Sequence, residues 1–172
     1  MTDPDPLTSA RLLLEPLTNH VQVAVEMVAV LSDSSLYLQT GGEPPDLAEL
    51  RSRYARQSRG VSPDGREVWF NWIVRRRSTG EAVGYVQVSL VQETGVADIA
   101  WVIGAPFQRR GYATEAGRQV AEWLSTRPDV RRVTAHIARA NIASQGVATR
   151  LDLEETARTE DGEVVWEARL RD

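Results

Sequence analysis

The residues with the clearest chemical potential form one stretch: Gln108, Arg109, Arg110, Gly111, Tyr112, Ala113 and Thr114. An apolar run (residues 99–103) and a turn (Gly104, Ala105, Pro106) precede it, and residues 114–124 after it read as a helix. A strand, a glycine-containing turn and a helix N-terminus bring free backbone N–H groups to one point, where the helix dipole favours negative charge. Gly111 lets the main chain approach a ligand or adopt positive φ, and Ala113 keeps the turn narrow. This is a cradle for phosphate. It lacks the Lys-Ser or Lys-Thr pair of a P-loop and the further glycines of a dinucleotide fingerprint.

Other positions also carry usable chemistry. Asp98 is the lone carboxylate in an apolar strand, on the same face as Ala100 and Val102. A half-buried carboxylate tends toward a raised pKa, suited to taking a proton from an ammonium through water. Asp98 equally suits a structural role, satisfying a neighbouring backbone group or arginine. Glu67, Glu93 and His136 are lesser candidates for the base, His136 reading as a core or edge residue of its strand. Asn141 and Ser144 open a later helix, where both residue types serve as caps.

The elements that must position these residues follow from the hydrophobic pattern. Residues 1–9 read as a flexible tail, and 10–172 as one domain. Residues 11–17 form a first strand stopped near Pro16. Thr18 or Asn19 caps a helix whose apolar face carries Val21, Ala24, Val25, Val28 and Leu31. A turn-rich segment leads to Asp46, which caps a second helix bearing Leu47, Leu50 and Tyr54. Three strands follow (68–74, 82–90 and 96–103) as a meander. Trp69 and Trp72 fall on opposite faces of the first of these, one for the core and the other for a pocket wall. After the helix at 114–124, a strand at 131–137 runs parallel to 96–103, because a helix intervenes. A helix at 142–151 and a hairpin (153–158 and 164–170) complete the domain. The parallel pair can splay to admit a ligand.

Composition removes several function classes. The chain has 172 residues, no cysteine and two histidines, so no thiolate metal site, disulfide framework or metal-ligand cluster is expected. No apolar run is long enough to span a bilayer, and the acidic, proline-punctuated start is unlike a targeting peptide. A cytoplasmic protein with no membrane partner is expected. All 20 basic residues are arginine and the net charge is −4, which disfavours nucleic-acid binding. Arginine nonetheless grips phosphate in a fork that lysine cannot make.

Gln108 to Ala113 is similar to the Q/R-x-x-G-x-G/A pyrophosphate motif of the GNAT N-acetyltransferase superfamily. Its continuation through Thr114, Glu115 and Ala116, the opening 10–17 and the pair Asn141 and Ser144 resemble the RimJ/RimL-like branch, in order and spacing. The resemblance implies a mixed α/β (α+β) fold, with a mostly antiparallel central sheet of about seven strands and helices on both faces. It implies acetyl-CoA or another acyl-CoA as co-substrate, no metal, and a primary amine on a small molecule or protein N-terminus as acceptor, in a monomer or homodimer. Backbone of Gln108, Arg109, Arg110, Gly111, Tyr112, Ala113 and Thr114 would hold the diphosphate. Trp101, Val102 and Ile103 would pair with pantetheine, and an N–H near Val102 would face the thioester oxygen. Asn141 and Ser144 would meet the pantetheine arm and sulfur, with Ser144 or water protonating the thiolate, since Ala148 stands where relatives often have tyrosine. The family's usual Gly-Phe after the last helix is here Asp152 and Leu153. The same fold could instead serve a non-catalytic acyl-CoA sensor or an interaction module without CoA.

Overall fold

The computed structural model describes residues 4–170. Eight strands form a single sheet: β1 (Leu7–Thr8), β2 (Leu12–Pro16), β3 (Glu67–Arg76), β4 (Ala82–Val91), β5 (Val96–Ile103), β6 (Arg132–Ile137), β7 (Glu154–Glu160) and β8 (Glu163–Arg169). The sheet order is β1-β2-β3-β4-β5-β6-β8-β7, and only β5 and β6 pair in parallel. The expected count was short by one strand. Leu7 and Thr8, read from sequence as tail, pair with Leu14 and Leu13 instead. Two residues offer too little periodicity to register as a strand; the neighbouring β2 edge supplies the pairing. Residues 1–3 of that predicted tail lie outside the described residues.

Helices cover both faces. α1 (Val21–Val30) and α2 (Leu47–Gln57) pack on one, while α3 (Tyr112–Thr126) and α4 (Ile142–Arg150) pack on the other. α2 begins as expected: Asp46 accepts from the Glu49 N–H, and the Glu49 carboxylate accepts from the Asp46 N–H, a reciprocal capping box. α1 differs. His20, not Thr18 or Asn19, is its N-cap, without a side-chain cap bond, and the helix buries Ala24, Met27 and Val30. Val21 and Val25 remain about half exposed, at 51% and 46%. A helix reading VQVAVEMVAV is apolar nearly all round, so spacing alone leaves its rotation open.

The main core lies between the sheet and α3/α4. Trp72 is fully buried there and meets Trp123 edge-on at 5.2 Å, while Phe70 meets Trp123 at 4.9 Å. Trp69, on the other face, is half-buried and donates from Nε1 to Glu67 Oε2 at 2.9 Å. Trp72 is therefore the one that serves the core, whereas Trp69 leans on its own strand and lines none of the cavities described below, so it is not the pocket wall expected of the second tryptophan.

Parallel pairing of β5 with β6 extends only over Val96–Asp98 against Arg132–Thr134. Beyond it the strands diverge, so residues 99–103 of β5 hold β4 on one side and face a cleft on the other. No helix among the described residues is long and apolar enough to cross a membrane, and none of their His, Cys, Asp and Glu side chains cluster as a metal site would.

Candidate acyl-CoA and acceptor cleft

The turn before α3 has the conformation its glycine predicted. Gly111 is the N-cap at φ 79°, and Arg109 also adopts positive φ at 59°. Two left-handed residues bracketing Arg110 fold the backbone into a concave nest. None of the N–H groups of residues 109–114 has an acceptor among the described residues. Five of these residues, Arg109 and Gly111 to Thr114, line a cleft of about 990 Å³ at the positive end of a 15-residue helix. A Cβ on Gly111 would project toward this space, with only Arg11 Nη2 near it, at 3.4 Å.

The side chains around the turn divide in function. Gln108 donates from Nε2 to the Ile103 carbonyl at 3.0 Å, clasping the turn to the end of β5. Arg110 donates to the Pro106 carbonyl at 3.2 Å and does not line the cleft, whereas Arg109 does. Tyr112 is buried, Ala113 and Thr114 half-buried at the cleft wall. Arg11 is a cleft residue that sequence reasoning did not assign: its guanidinium lies 4.7 Å over the Tyr112 ring and pairs with Glu115 at 2.6 Å. Burial opposes the charge on Glu115, but the Ser9 hydroxyl and the Arg11 N–H and guanidinium hold its carboxyl below the usual value. The signal existed, since Arg11 and Glu115 both fell within recognised segments; only folding placed them together.

Trp101, Val102 and Ile103 line the long wall of the cleft. The Gly104 N–H donates to the Val83 carbonyl at 2.8 Å. By the alternation of an antiparallel ladder, the main-chain groups of Val102 then face β4, and those flanking it, on Trp101 and Ile103, face the cleft. Across from them, Asn141 caps α4 by accepting from the Ser144 N–H at 3.1 Å, as its residue type suggested. Asn141 and Ser144 also line the cleft, and the Ser144 hydroxyl has no hydrogen-bond partner among the described residues. Ala148 is fully buried and offers the cleft nothing.

A second cavity of about 210 Å³ adjoins the first through Trp101, Val102, Asn141 and Ser144. Its own wall includes Tyr37, Arg53, Tyr85 and His136. Asp98 lines neither cavity. Its Oδ1 instead accepts from Thr134 Oγ1 at 2.9 Å and meets His136 Nδ1 at 2.8 Å, while His136 Nε2 meets Glu160 Oε2 at 3.0 Å. Burial raises the Asp98 carboxyl, and the nearby imidazole and Thr134 hydroxyl only partly offset it. Burial works against a charged His136, yet the carboxylates of Asp98 and Glu160 outweigh it and raise the imidazole.

The Acetyltransferase (GNAT) domain family pattern matches residues 11–154. The chain belongs to the GNAT acetyltransferase family. It is 27% identical over 92 residues to the "Uncharacterized N-acetyltransferase YjdG" of Bacillus subtilis (strain 168), a stretch covering 53% of this chain and 55% of that protein. The chain thus matches about half the length of this curated relative. Among solved structures, it is similar in fold to RimL, a ribosomal L7/L12 alpha-N-protein acetyltransferase in complex with coenzyme A, at TM-score 0.77 and 18% identity over 96% of this chain and 98% of that one. It is also similar to aminoglycoside acetyltransferase AAC(6')-Ib in complex with coenzyme A, at TM-score 0.72 and 19% identity over 92% and 94%. The shared GNAT architecture is the fold expected from sequence.

Proposed function

We propose that this protein is an acyl-CoA-dependent N-acyltransferase that moves acetyl from acetyl-CoA to a primary amine. The observation that carries the reading is the row of unaccepted N–H groups at residues 109–114, all but Arg110 belonging to residues that line a cleft of about 990 Å³. The donor set suits a diphosphate: backbone amides at a helix N-terminus, with Arg109 and Arg11 at the rim. Pantetheine would extend along Trp101, Val102 and Ile103, whose free strand edge offers main-chain partners. The N–H of Trp101 or Ile103 would meet the thioester oxygen as negative charge develops there.

Amine nitrogen attacks the thioester carbonyl, the carbon–sulfur bond breaks, and one proton must leave the nitrogen while the thiolate departs. Ser144, with its unpartnered hydroxyl at the junction of the two cavities, is the group placed to protonate the thiolate. His136 is the titratable ring on the acceptor side, and Asp98 acts through it by holding Nδ1. In the neutral ring, with Nδ1–H donated to Asp98, Nε2 would take the proton once Glu160, 56% exposed, has moved away from it.

A direct test is binding. CoA and acetyl-CoA should raise the melting temperature: at a hundred times its dissociation constant, a ligand of the native state adds about 2.7 kcal/mol. Gly111→Glu fills the cradle with a side chain of the wrong charge and should abolish that shift while the protein still melts cooperatively. An unchanged CoA affinity in this variant refutes the diphosphate assignment.

A further inference from the structure

The acceptor side contains an arginine with nothing to hold. Arg53, on α2, is half-buried, yet it makes no ion pair or hydrogen bond among the described residues. Arg75, a comparably placed arginine, pairs with both Glu15 and Glu26. Arg53 lines the 210 Å³ cavity and also a narrow recess of about 40 Å³ beside it, and Tyr85 is shared by both. Also lining the recess is Tyr54, only 4% exposed, whose hydroxyl is buried without a partner. A buried hydroxyl left unpaired is costly, as is a half-desolvated guanidinium without an anion.

The unmet capacity suits an anion. Arg53 offers only donors, and the Tyr54 hydroxyl has a donor to give. Glu163 lines the same larger cavity, but it forms no ion pair with Arg53. Burial keeps the wall phenols Tyr37 and Tyr85 in their neutral form, and His136 is held toward its charged form by carboxylates outside the cavity. A water needs about 10–15 Å³ of such space, so a recess of about 40 Å³ admits a small planar group. A carboxylate matches it in charge, in size and in the fork geometry of guanidinium.

We propose that Arg53 and Tyr54 form a carboxylate subsite on the acceptor side, so that the acceptor is an amine bearing a nearby carboxylate rather than a polycationic amine. This inference rests on the acetyltransferase reading above and specifies its substrate. The carboxylate can belong to a free amino acid or to an acidic residue just after a peptide N-terminus; both present an amine a few bonds away from an anion. The arginine sets the distance. With the carboxylate seated against Arg53, the amine is directed across Tyr85 toward Trp101 and Ser144, where the two cavities meet.

The experiment compares three acceptors on CoA-saturated protein by calorimetry, and with acetyl-CoA by thiol release. They are free glutamate, the amidated peptide Ala-Glu-Ala-Ala and the amidated peptide Ala-Lys-Ala-Ala. The expected result is at least about tenfold preference for one carboxylate-bearing acceptor over the lysine peptide, the scale of one charge-assisted pair. Whichever of the two binds better names the source. Arg53→Gln should remove most of that preference while leaving the CoA-induced melting shift intact. Tyr54→Phe should weaken the acidic acceptor without lowering the melting temperature, because the hydroxyl it removes is unpartnered. Equal binding of acidic and basic acceptors, or a preference that survives Arg53→Gln, overturns the subsite. Loss of the CoA shift in wild type would instead defeat the acetyltransferase reading, so the two failures are distinguishable.

Discussion

At the scale of single residues, backbone conformation decides where side-chain identity can vary. Gly111 and Arg109 both hold positive φ in the anion cradle, but only one is glycine. Asp152 is the other informative case. It sits at φ 61° just past α4, where the family usually has glycine. The Asp152 N–H reaches the Thr149 carbonyl at 3.1 Å and the Leu153 N–H reaches Ala148 at 3.0 Å, a complete Schellman closure. Leu153 is buried at 4% exposure, so an aliphatic side chain fills the place of the usual phenylalanine. The departure leaves the turn intact, at the cost of a left-handed non-glycine residue. Asp152→Gly should therefore stabilise the protein by about 1 kcal/mol, a rise of about 2–4 °C in melting temperature. A melt that falls or stays put would mean the aspartate carboxylate contributes something beyond its strain.

At the scale of elements, the Asp98–His136–Glu160 chain ties β5, β6 and β7 together just below the point where the sheet opens. His136 titrates above its ordinary value of 6.5 in the folded protein, so the folded state keeps a proton that the unfolded chain releases. Its contribution to stability is complete below pH 6.5 and is lost as pH rises through the folded value. Asp98, also raised, acts in the same sense at lower pH. Urea unfolding should show wild-type stability falling across the His136 titration. Asp98→Asn removes the carboxylate on Nδ1, and should move that fall to lower pH. The same variant should shift the onset of acetyl transfer, read as kcat/KM, to lower pH if His136 is the base. A pH profile of activity unmoved by Asp98→Asn, alongside a moved stability profile, would leave the trio a purely structural latch.

At the scale of the whole molecule, the first residues bind distant parts of the fold together. The buried Trp72 indole donates from Nε1 to the Asp5 carbonyl at 3.0 Å, and Ser9 Oγ donates to Glu115 Oε1 at 2.7 Å. A segment that composition marks as tail thereby caps the aromatic core and braces the helix of the anion cradle. Deleting residues 1–9 strands the Trp72 N–H and a partner of Glu115, and an unsatisfied buried donor costs about 1–3 kcal/mol. The truncated chain should melt at a lower temperature and bind CoA more weakly. Full stability after the deletion would show that water replaces both partners.

The amino-acid sequence by itself determined the left-handed turn ahead of α3, because a glycine turn between an apolar strand and a helix is local chemistry. It also determined most elements, the Asp46 cap and the Asn141 cap, each written within a few residues. Tertiary structure alone decided which face α1 buries, since an all-round apolar helix takes its rotation from what it packs against. It decided that Leu7 and Thr8 form a strand, that Arg11 reaches the cradle from 104 residues away, and that Asp98 faces His136 rather than the cleft. It also left Arg53 without an acid. Those outcomes depend on which side chains meet across the sheet, and long-range pairing carries no local periodicity from which to read it.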